Sequence, residues 1–130
     1  MKAVDSNVLL RLITADDPPQ EAIARALIAE HDIFVSLTSV LETESVLRSF
    51  YRWSRERIAD ALGSLDGFEN IQLERADQLL WAVERMRVGA DFADMIHIVA
   101  AGDATVFATF DTNIERDAGV DSPRPVQTLR

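Results

Sequence analysis

The sequence contains no cysteine and only one lysine. Without cysteine, neither a disulfide framework nor a thiolate metal site can form. The single lysine, Lys2, lies outside any glycine-rich segment, which excludes a P-loop. Schiff-base chemistry would also have to use Lys2, which opens the first predicted strand. With only His31 and His97 as histidines, a zinc site is not expected either.

Long apolar runs are also absent, and no stretch is long enough to cross a bilayer. The first ten residues lack the apolar core and small-residue cleavage site of a signal peptide, so we expect a cytoplasmic protein without a membrane partner. No linker rich in proline, glycine or serine divides the 130 residues, and no repeat is visible. We therefore expect a single globular domain over residues 1–130.

The net charge is −9, from 13 basic and 22 acidic residues. Phosphate contacts normally supply most of the affinity for nucleic acid, so such a chain is a poor generic binder of it. An RNA-directed activity would need something to offset this repulsion. A bound divalent metal, a local arginine patch or a partner protein could each do so.

Short apolar segments that read as strands alternate with amphipathic segments that read as helices. This alternation predicts a three-layer α/β/α fold, in which a short parallel sheet is covered by helices on both sides. Such doubly covered strands are buried. The predicted strands are residues 2–5, 33–35, 71–73, 104–109 and 126–128.

Polar residues mark where the helices begin. Asp5 and Asp17 can cap the first two helices, and Asp91 can cap the helix that carries Asp94. Ser39 is expected to open the helix after the second strand.

Four acidic residues fall where ligands bind in parallel α/β sheets, beyond the carboxyl ends of the strands. Asp5 ends the first strand, and Asp111 follows the fourth. Glu42 and Asp94 are each expected in the first turn of a helix, where the positive end of the helix dipole favours a carboxylate. Clustered carboxylates raise one another's pKa and stay ionised mainly beside a cation. Hard oxygen ligands suit Mg²⁺ or Mn²⁺, and one or two such ions can drive phosphodiester hydrolysis.

Each acid also has a purely structural interpretation. Ser39 and Glu42 fit a capping box, and Asp91 fits a helix cap. Asp111 is turn-like, and for Asp111 and Asp94 the two interpretations are equally good. Asp5 is the hardest to explain structurally, because a charge at the end of a buried strand is costly without a partner.

Four segments together resemble the motifs of PIN-domain ribonucleases, in particular the VapC-type toxins of prokaryotic toxin–antitoxin pairs. The order and spacing of the segments match, and the resemblance covers essentially the whole chain. The segments are Asp5-Ser6-Asn7-Val8-Leu9-Leu10, Leu41-Glu42-Thr43-Glu44-Ser45-Val46-Leu47-Arg48, Gly89-Ala90-Asp91-Phe92-Ala93-Asp94-Met95-Ile96-His97 and Thr109-Phe110-Asp111.

The resemblance implies a metal-dependent endoribonuclease, inhibited by a cognate antitoxin and expected to form a homodimer. It implies that the catalytic and metal-binding residues are Asp5, Glu42, Asp94 and Asp111. Asn7 and Thr109 match small polar residues that support the site by hydrogen bonding.

Two neighbouring acids compete with the assigned ones. Residues two apart on a helix do not share a face, so Glu44 should point away from Glu42. Residues three apart do share a face, so Asp91 can lie beside Asp94 as a cap or an outer ligand.

The remaining candidates are open to two interpretations. We expect His97 to pack on a mainly apolar helix rather than to act as a base. Arginines 48, 52, 55 and 57, with Tyr51 and Trp53, fit an RNA-binding track or, equally well, a solvated helix junction. A receiver or aspartyl-phosphate phosphatase would need a lysine near the phosphate, which leaves a catalytically inactive, PIN-like protein-binding module as the main alternative function.

Overall fold

The computed structural model describes residues 1–130 and contains five short strands. Each strand has three residues and falls on one of the predicted segments. The strands are β1 (Lys2–Val4), β2 (Ile33–Val35), β3 (Ile71–Leu73), β4 (Phe107–Thr109) and β5 (Val126–Thr128).

Seven α-helices connect the strands, and a 3₁₀ turn at Leu65–Gly67 precedes β3. The helices are α1 (Ser6–Thr14), α2 (Pro18–Glu30), α3 (Leu37–Ser49), α4 (Arg55–Ser64), α5 (Ala76–Arg87), α6 (Phe92–Ala100) and α7 (Ile114–Ala118).

All strand pairs are parallel, which confirms the predicted three-layer α/β/α class with short parallel strands. The strands form two sheets rather than one: a three-stranded sheet in the order β1-β2-β3 and a two-stranded sheet of β4 and β5. In the first sheet Val4 lies opposite Val35, and Val35 lies opposite Leu73, so these three strands end in register. In the second, Thr109 lies opposite Thr128.

Side-chain caps start α1, α2 and α6 at the predicted residues, Asp5, Asp17 and Asp91. The carboxylate of Asp5 accepts hydrogen bonds from the backbone N–H groups of Asn7 and Val8 at the start of α1. Asp17 caps α2 with prolines in its first positions, and Ser54 caps α4. These oxygens satisfy N–H groups that have no partner inside the helix, which is why the chain turns helical at those points.

The prediction that the first strand is buried is wrong. Lys2 and Ala3 are exposed and Val4 is half-buried, whereas both ends of β2 are buried. Both β1 and β3 are edge strands of the three-stranded sheet, but β3 packs against the 3₁₀ turn and α5 and is buried at both ends, whereas β1 has no buried residue. The charge of Asp5 at its end is therefore less costly than the sequence argument assumed.

The fourth strand is shorter than predicted, because residues 104–106 lie in the loop that precedes it. Gly102 adopts a positive φ of 64°, and the Ala104 N–H donates to the Ala101 carbonyl oxygen, so the chain is still turning there. Pairing with β5 begins only at Phe107, whose N–H donates to the carbonyl oxygen of Pro125.

One hydrophobic cluster of 26 buried residues joins the helices to the strands. It includes Val35 and Leu73 from the three-stranded sheet, Leu47 from α3, and Met95 and Ile98 from α6. The cluster holds α3 and α6 in contact with each other, and these two helices carry Glu42 and Asp94. None of the helices combines the length and the apolar character needed to span a membrane.

Candidate active site

Asp5 follows the carboxyl end of β1 and is exposed. Its Oδ1 atom lies 3.1 Å from the backbone nitrogen of Asn7 and 3.4 Å from that of Val8. The cap therefore uses Oδ1 and holds the carboxylate at the start of α1, while Oδ2 makes no contact in this cap. Asn7 is exposed and contributes its backbone N–H to the same arrangement.

Asp111 lies two residues beyond β4, in a turn that two hydrogen bonds define. The Thr109 hydroxyl oxygen accepts from the Asp111 N–H at 3.0 Å, and Asp111 Oδ1 accepts from the Asn113 N–H at 2.8 Å. Asp111 is not the cap of α7, because that helix begins after Asn113 without a side-chain cap. The structural alternative for Asp111 is thus an Asx turn rather than a helix cap.

Asp94 is an acid of this region whose pKa is raised. It lies in the first turn of α6, as predicted, and its N–H donates to the carboxylate of Asp91 at 3.0 Å. Burial raises the pKa of Asp94, and repulsion from Asp91 and then Asp111 raises it further, with a smaller contribution from Asp117. Asp94, Asp91 and Asp111 therefore share one negatively charged region, and Asp91 is the helix cap within it.

Asp117 also raises the pKa of Asp94, and the sequence did not predict this. Its side chain is 21% exposed and pairs with Arg116 at 3.1 Å, and its carbonyl oxygen accepts from Arg85. The only sequence signal was its place on the short helix after Asp111, which by itself predicts nothing.

Glu42 lies in the second turn of its helix, which corrects the sequence prediction. The helix α3 begins at Leu37 and not near Ser39, because the hydroxyl of Ser36 accepts from the Ser39 N–H and caps it. A capping box of Ser39 and Glu42 is therefore wrong. The helix dipole also favours Glu42 less than we expected, because its effect falls off within the first turn.

Glu42 and Glu44 occupy different environments, as their spacing predicts. Glu42 is exposed, whereas Glu44 is 3% exposed and its carboxylate lies 2.9 Å from Arg48. This ion pair accounts for Glu44 as a structural residue and leaves Glu42 as the acid of this helix that a ligand can reach.

Two polar side chains hold α3 in place through contacts that the sequence did not predict. Glu74, which follows β3, accepts a hydrogen bond from the Leu37 N–H at 2.9 Å. Ser39 donates from its hydroxyl to the carbonyl oxygen of Val4, the residue before Asp5, at 3.1 Å. Both contacts join residues 35 or more positions apart, which is why local patterns did not reveal them.

The prediction for His97 is wrong, because the side chain is exposed rather than packed on the apolar face of α6. It follows Asp94 by three residues, and such residues share one side of a helix. Its charge lowers the pKa of Asp94, so it opposes the surrounding acids.

The donors in this region are carboxylates, which are the ligands that Mg²⁺ and Mn²⁺ prefer. As the side chains stand, no three acidic or histidine side chains form a group that could hold a metal ion. The raised pKa of Asp94 nevertheless fits a divalent cation, because a cation would offset the repulsion among Asp94, Asp91 and Asp111. The chemistry of the donor set is thus compatible with a metal, and the side chains would have to move closer to bind it.

The arginine cluster is largely engaged in structural contacts. Arg55 donates to the carbonyl oxygens of Met86 and Ala90, and the guanidinium of Arg57 lies 3.7 Å from the centre of the Trp53 ring. Arg48 pairs with Glu44. Arg52 is exposed and adopts a positive φ of 57°. These contacts favour the interpretation of this segment as a helix junction over that of a continuous RNA track.

The comparison with known families agrees with the fold. The sequence model of the PIN-domain family matches residues 2–119, and this segment includes every residue of the predicted site. No curated protein sequence matches the chain. PIN domains are generally nucleases that use divalent metal ions and bind RNA. Since the match covers nearly the whole chain, the protein belongs to the PIN-domain family.

Proposed function

We propose that the protein is a Mg²⁺- or Mn²⁺-dependent endoribonuclease that hydrolyses phosphodiester bonds in RNA. The observation that supports this most directly is Asp94, whose pKa is raised by burial and by the neighbouring carboxylates of Asp91 and Asp111. Acids whose pKa values are shifted by burial and by neighbouring charges are typical of functional sites. The chain belongs to a family of metal-dependent nucleases, in which clustered carboxylates would serve to bind the metal.

The residues that would hold one or two metal ions are Asp5, Glu42, Asp94 and Asp111. A bound divalent ion supplies charge neutralisation of the phosphate and lowers the pKa of a water molecule. Asp5 and Asp111 each use Oδ1 in a backbone hydrogen bond, which orients the carboxylate and leaves its other oxygen outside that contact.

Three supporting residues hold these acids in position. Asp91 caps α6 and thereby holds the first turn that carries Asp94. Thr109 holds the backbone of Asp111, and Asn7 donates its N–H to Asp5. In this proposal the supporting residues need not touch the metal. Their role is to keep the acids oriented before the substrate arrives.

We further propose that the protein is the toxin of a toxin–antitoxin pair in the cytoplasm, forms a homodimer and is inhibited by a cognate antitoxin. The support is the likeness of the four motif segments to VapC-type toxins. An apolar groove of about 320 Å³ between α1 and α2, with Ile23 71% exposed at its side, offers a surface for a partner protein. The net charge of −9 also means that binding to RNA benefits from assembly with another chain.

A second candidate function is a catalytically inactive module that binds proteins. It is favoured by the finding that no three acidic or histidine side chains form a metal-binding group as they stand. It is disfavoured by the charge repulsion around Asp94, which such a module would retain without benefit.

The test is cleavage of a mixed RNA substrate in Mg²⁺, in Mn²⁺ and in EDTA, with Asp5→Asn in parallel. Asparagine is also a good helix cap, so this variant should keep its fold. The matched control is Asp66→Asn, which changes an exposed aspartate in the 3₁₀ turn before β3, at the opposite ends of the strands. Metal-dependent cleavage that is lost only in Asp5→Asn supports the nuclease. Absence of both cleavage and calorimetric metal binding would favour the binding module.

A further inference from the structure

Phe110 is an aromatic side chain that the fold leaves in solvent. It follows β4 directly, precedes Asp111, and has 77% of its surface exposed. An apolar ring gains stability by leaving water, at roughly 25 cal/mol for each Å² buried. At this exposure the ring contributes little to the stability of the fold, and most of its surface is free to contact a ligand.

The backbone on both sides of Phe110 is fixed. The Leu129 N–H donates to the Thr109 carbonyl oxygen at 2.7 Å, and the Thr109 hydroxyl accepts from the Asp111 N–H at 3.0 Å. The turn is completed by Asp111 Oδ1 and the Asn113 N–H. Phe110 therefore keeps a defined position relative to Asp111, and a ligand that binds its ring need not order the backbone first.

The position of the ring relates it to the acidic region. Asp111, the next residue, is one of the four acids proposed to hold the metal, and its hydrogen bonds to Thr109 and Asn113 fix it in the same turn as Phe110. A phosphodiester bound at these acids carries nucleosides on both sides. One of those bases would lie within reach of a side chain adjacent to Asp111.

Charge explains why a stacking contact would matter here. The net charge is −9, and Arg48, Arg55 and Arg57 are engaged with Glu44, with carbonyl oxygens and with Trp53. The ionic contacts that normally supply most of the affinity for nucleic acid are therefore weak. Stacking of a base on an aromatic ring does not depend on the net charge of the protein. Each stacked base strengthens RNA binding by roughly 5- to 100-fold.

We propose that Phe110 is a base-stacking platform, which holds one unpaired nucleobase of the RNA next to the phosphodiester that the acids engage. This inference rests on the proposed function, since it requires RNA as the ligand. It makes Phe110 a substrate-positioning residue.

The test is equilibrium binding of fluorescein-labelled, mixed-sequence single-stranded RNA in Mg²⁺, measured by anisotropy. All samples carry Asp5→Asn, so that the RNA stays intact. We compare Phe110→Ala, Phe110→Leu and Phe110→Trp with this parent. Leucine keeps an apolar side chain but removes the ring, whereas tryptophan keeps a ring. The matched control is Val120→Ala, because Val120 is a fully exposed apolar residue in the loop before β5.

We expect the alanine and leucine variants to bind RNA roughly 5- to 100-fold more weakly than the parent, with unchanged melting temperatures. The tryptophan variant and Val120→Ala should bind within about twofold of the parent. An RNA containing 2-aminopurine should show quenched fluorescence with the parent and recover it with Phe110→Leu.

Normal RNA binding by Phe110→Leu would overturn the stacking proposal, and so would equal loss in Val120→Ala. If the wild-type chain cleaves RNA in Mg²⁺ while Phe110→Leu binds normally, only this inference fails and the nuclease stands. If the wild-type chain neither binds nor cleaves RNA, both the inference and the proposed function fail.

Discussion

The hydroxyl of Ser39 donates a hydrogen bond to the carbonyl oxygen of Val4 at 3.1 Å, and this bond joins α3 to the last residue of β1. Asp5 is the next residue after Val4, and Glu42 lies about one helical turn beyond Ser39. Ser39 is 8% exposed, so water does not replace the bond easily. This bond is thus one of the contacts that hold Asp5 and Glu42, two of the proposed metal ligands, relative to each other.

Ser39→Ala should therefore weaken metal binding more than it weakens the fold. Loss of one buried hydrogen bond costs about 0.5–1.5 kcal/mol of unfolding free energy. Because Asp5 and α3 are then less well held relative to each other, we expect a roughly tenfold loss of Mg²⁺ affinity, as is seen when outer contacts of a metal site are removed. Urea unfolding and calorimetric Mg²⁺ titration measure the two effects separately.

The matched control for this experiment is Ser49→Ala. Ser49 lies on the same helix, is exposed, and donates only to the carbonyl oxygen of Ser45 within that helix. Its removal should leave Mg²⁺ affinity unchanged. Equal loss of affinity in both variants would show that the contact between Ser39 and Val4 has no special role.

Glu42→Gln and Glu44→Gln should separate activity from stability. Glu42 is exposed, so its amide variant should fold normally and lose RNA cleavage. Glu44 is 3% exposed and pairs with Arg48, so Glu44→Gln should lose about 1–3 kcal/mol of unfolding free energy and retain cleavage below its melting temperature. Cleavage assays and thermal unfolding on the same samples check this. Loss of cleavage only in Glu44→Gln would reverse the assignment of the two acids.

The starts of α1 and α3 show which parts of the structure could be predicted from the sequence. The start of α1 at Asp5 was predictable because an apolar strand, a cap residue and an apolar helix follow one another directly. The start of α3 was placed two residues too late. Ser36 and Ser39 can both cap a helix, and the contacts that decide between them come from Val4 and Glu74, far away in the chain.

The exposure of β1 and of His97 was missed for a related reason. The prediction for β1 assumed one continuous sheet, and the prediction for His97 used only the apolar character of its helix. Local patterns reveal neither where a sheet ends nor which face of a helix is covered. The split between the β1-β2-β3 sheet and the β4-β5 sheet leaves β1 as an edge strand. The site residues themselves remain predictions. Their positions on the elements were predictable, but their approach to one another depends on the arrangement of the two sheets.

Asp94→Asn should stabilise the protein in EDTA and remove stabilisation by Mg²⁺. The pKa of Asp94 is raised in the folded chain, mainly by burial and then by Asp91 and Asp111. A raised carboxyl pKa means that stability is greatest below the unfolded pKa, near 4, and falls as the pH rises through the folded pKa. The gain from Asp94→Asn in EDTA should thus grow between about pH 4 and neutrality.

Melting temperatures of wild type and Asp94→Asn across this pH range, with and without Mg²⁺, provide the measurement. In Mg²⁺ the order should reverse at neutral pH, because only the wild type gains stability from binding the ion. Identical Mg²⁺ stabilisation of the two proteins would exclude Asp94 as a ligand.

Tyr51→Phe should reduce stability at neutral pH and have little effect in acid. The hydroxyl of Tyr51 donates to Asp16 at 2.6 Å and is the largest cause of the lowered pKa of Asp16, followed by the hydroxyl of Thr14. A lowered carboxyl pKa gives stability that is present above the unfolded pKa, near 4, and is lost as the pH falls through the folded pKa. The difference in melting temperature between the two proteins should therefore be constant above about pH 5 and shrink below it. A constant difference down to pH 2 would show that the Tyr51 hydroxyl contributes to stability independently of the ionisation of Asp16.

The residues beyond the matched 2–119 segment should be essential for the fold, through Arg124. Its side chain is 7% exposed and donates to Gln78 and to the carbonyl oxygen of Ile98, both at 3.0 Å, and to that of Gly102. These contacts tie the segment before β5 to the end of α6, the helix of Asp94.

Arg124→Met should cost about 2–4 kcal/mol of unfolding free energy, because it leaves buried oxygens without donors. Arg116→Met, which changes a side chain that is 73% exposed, should stay within about 0.5 kcal/mol of the wild type in the same urea titration. Equal stability of Arg124→Met and wild type would mean that water satisfies those oxygens and that Arg124 does not tie the terminal segment to α6.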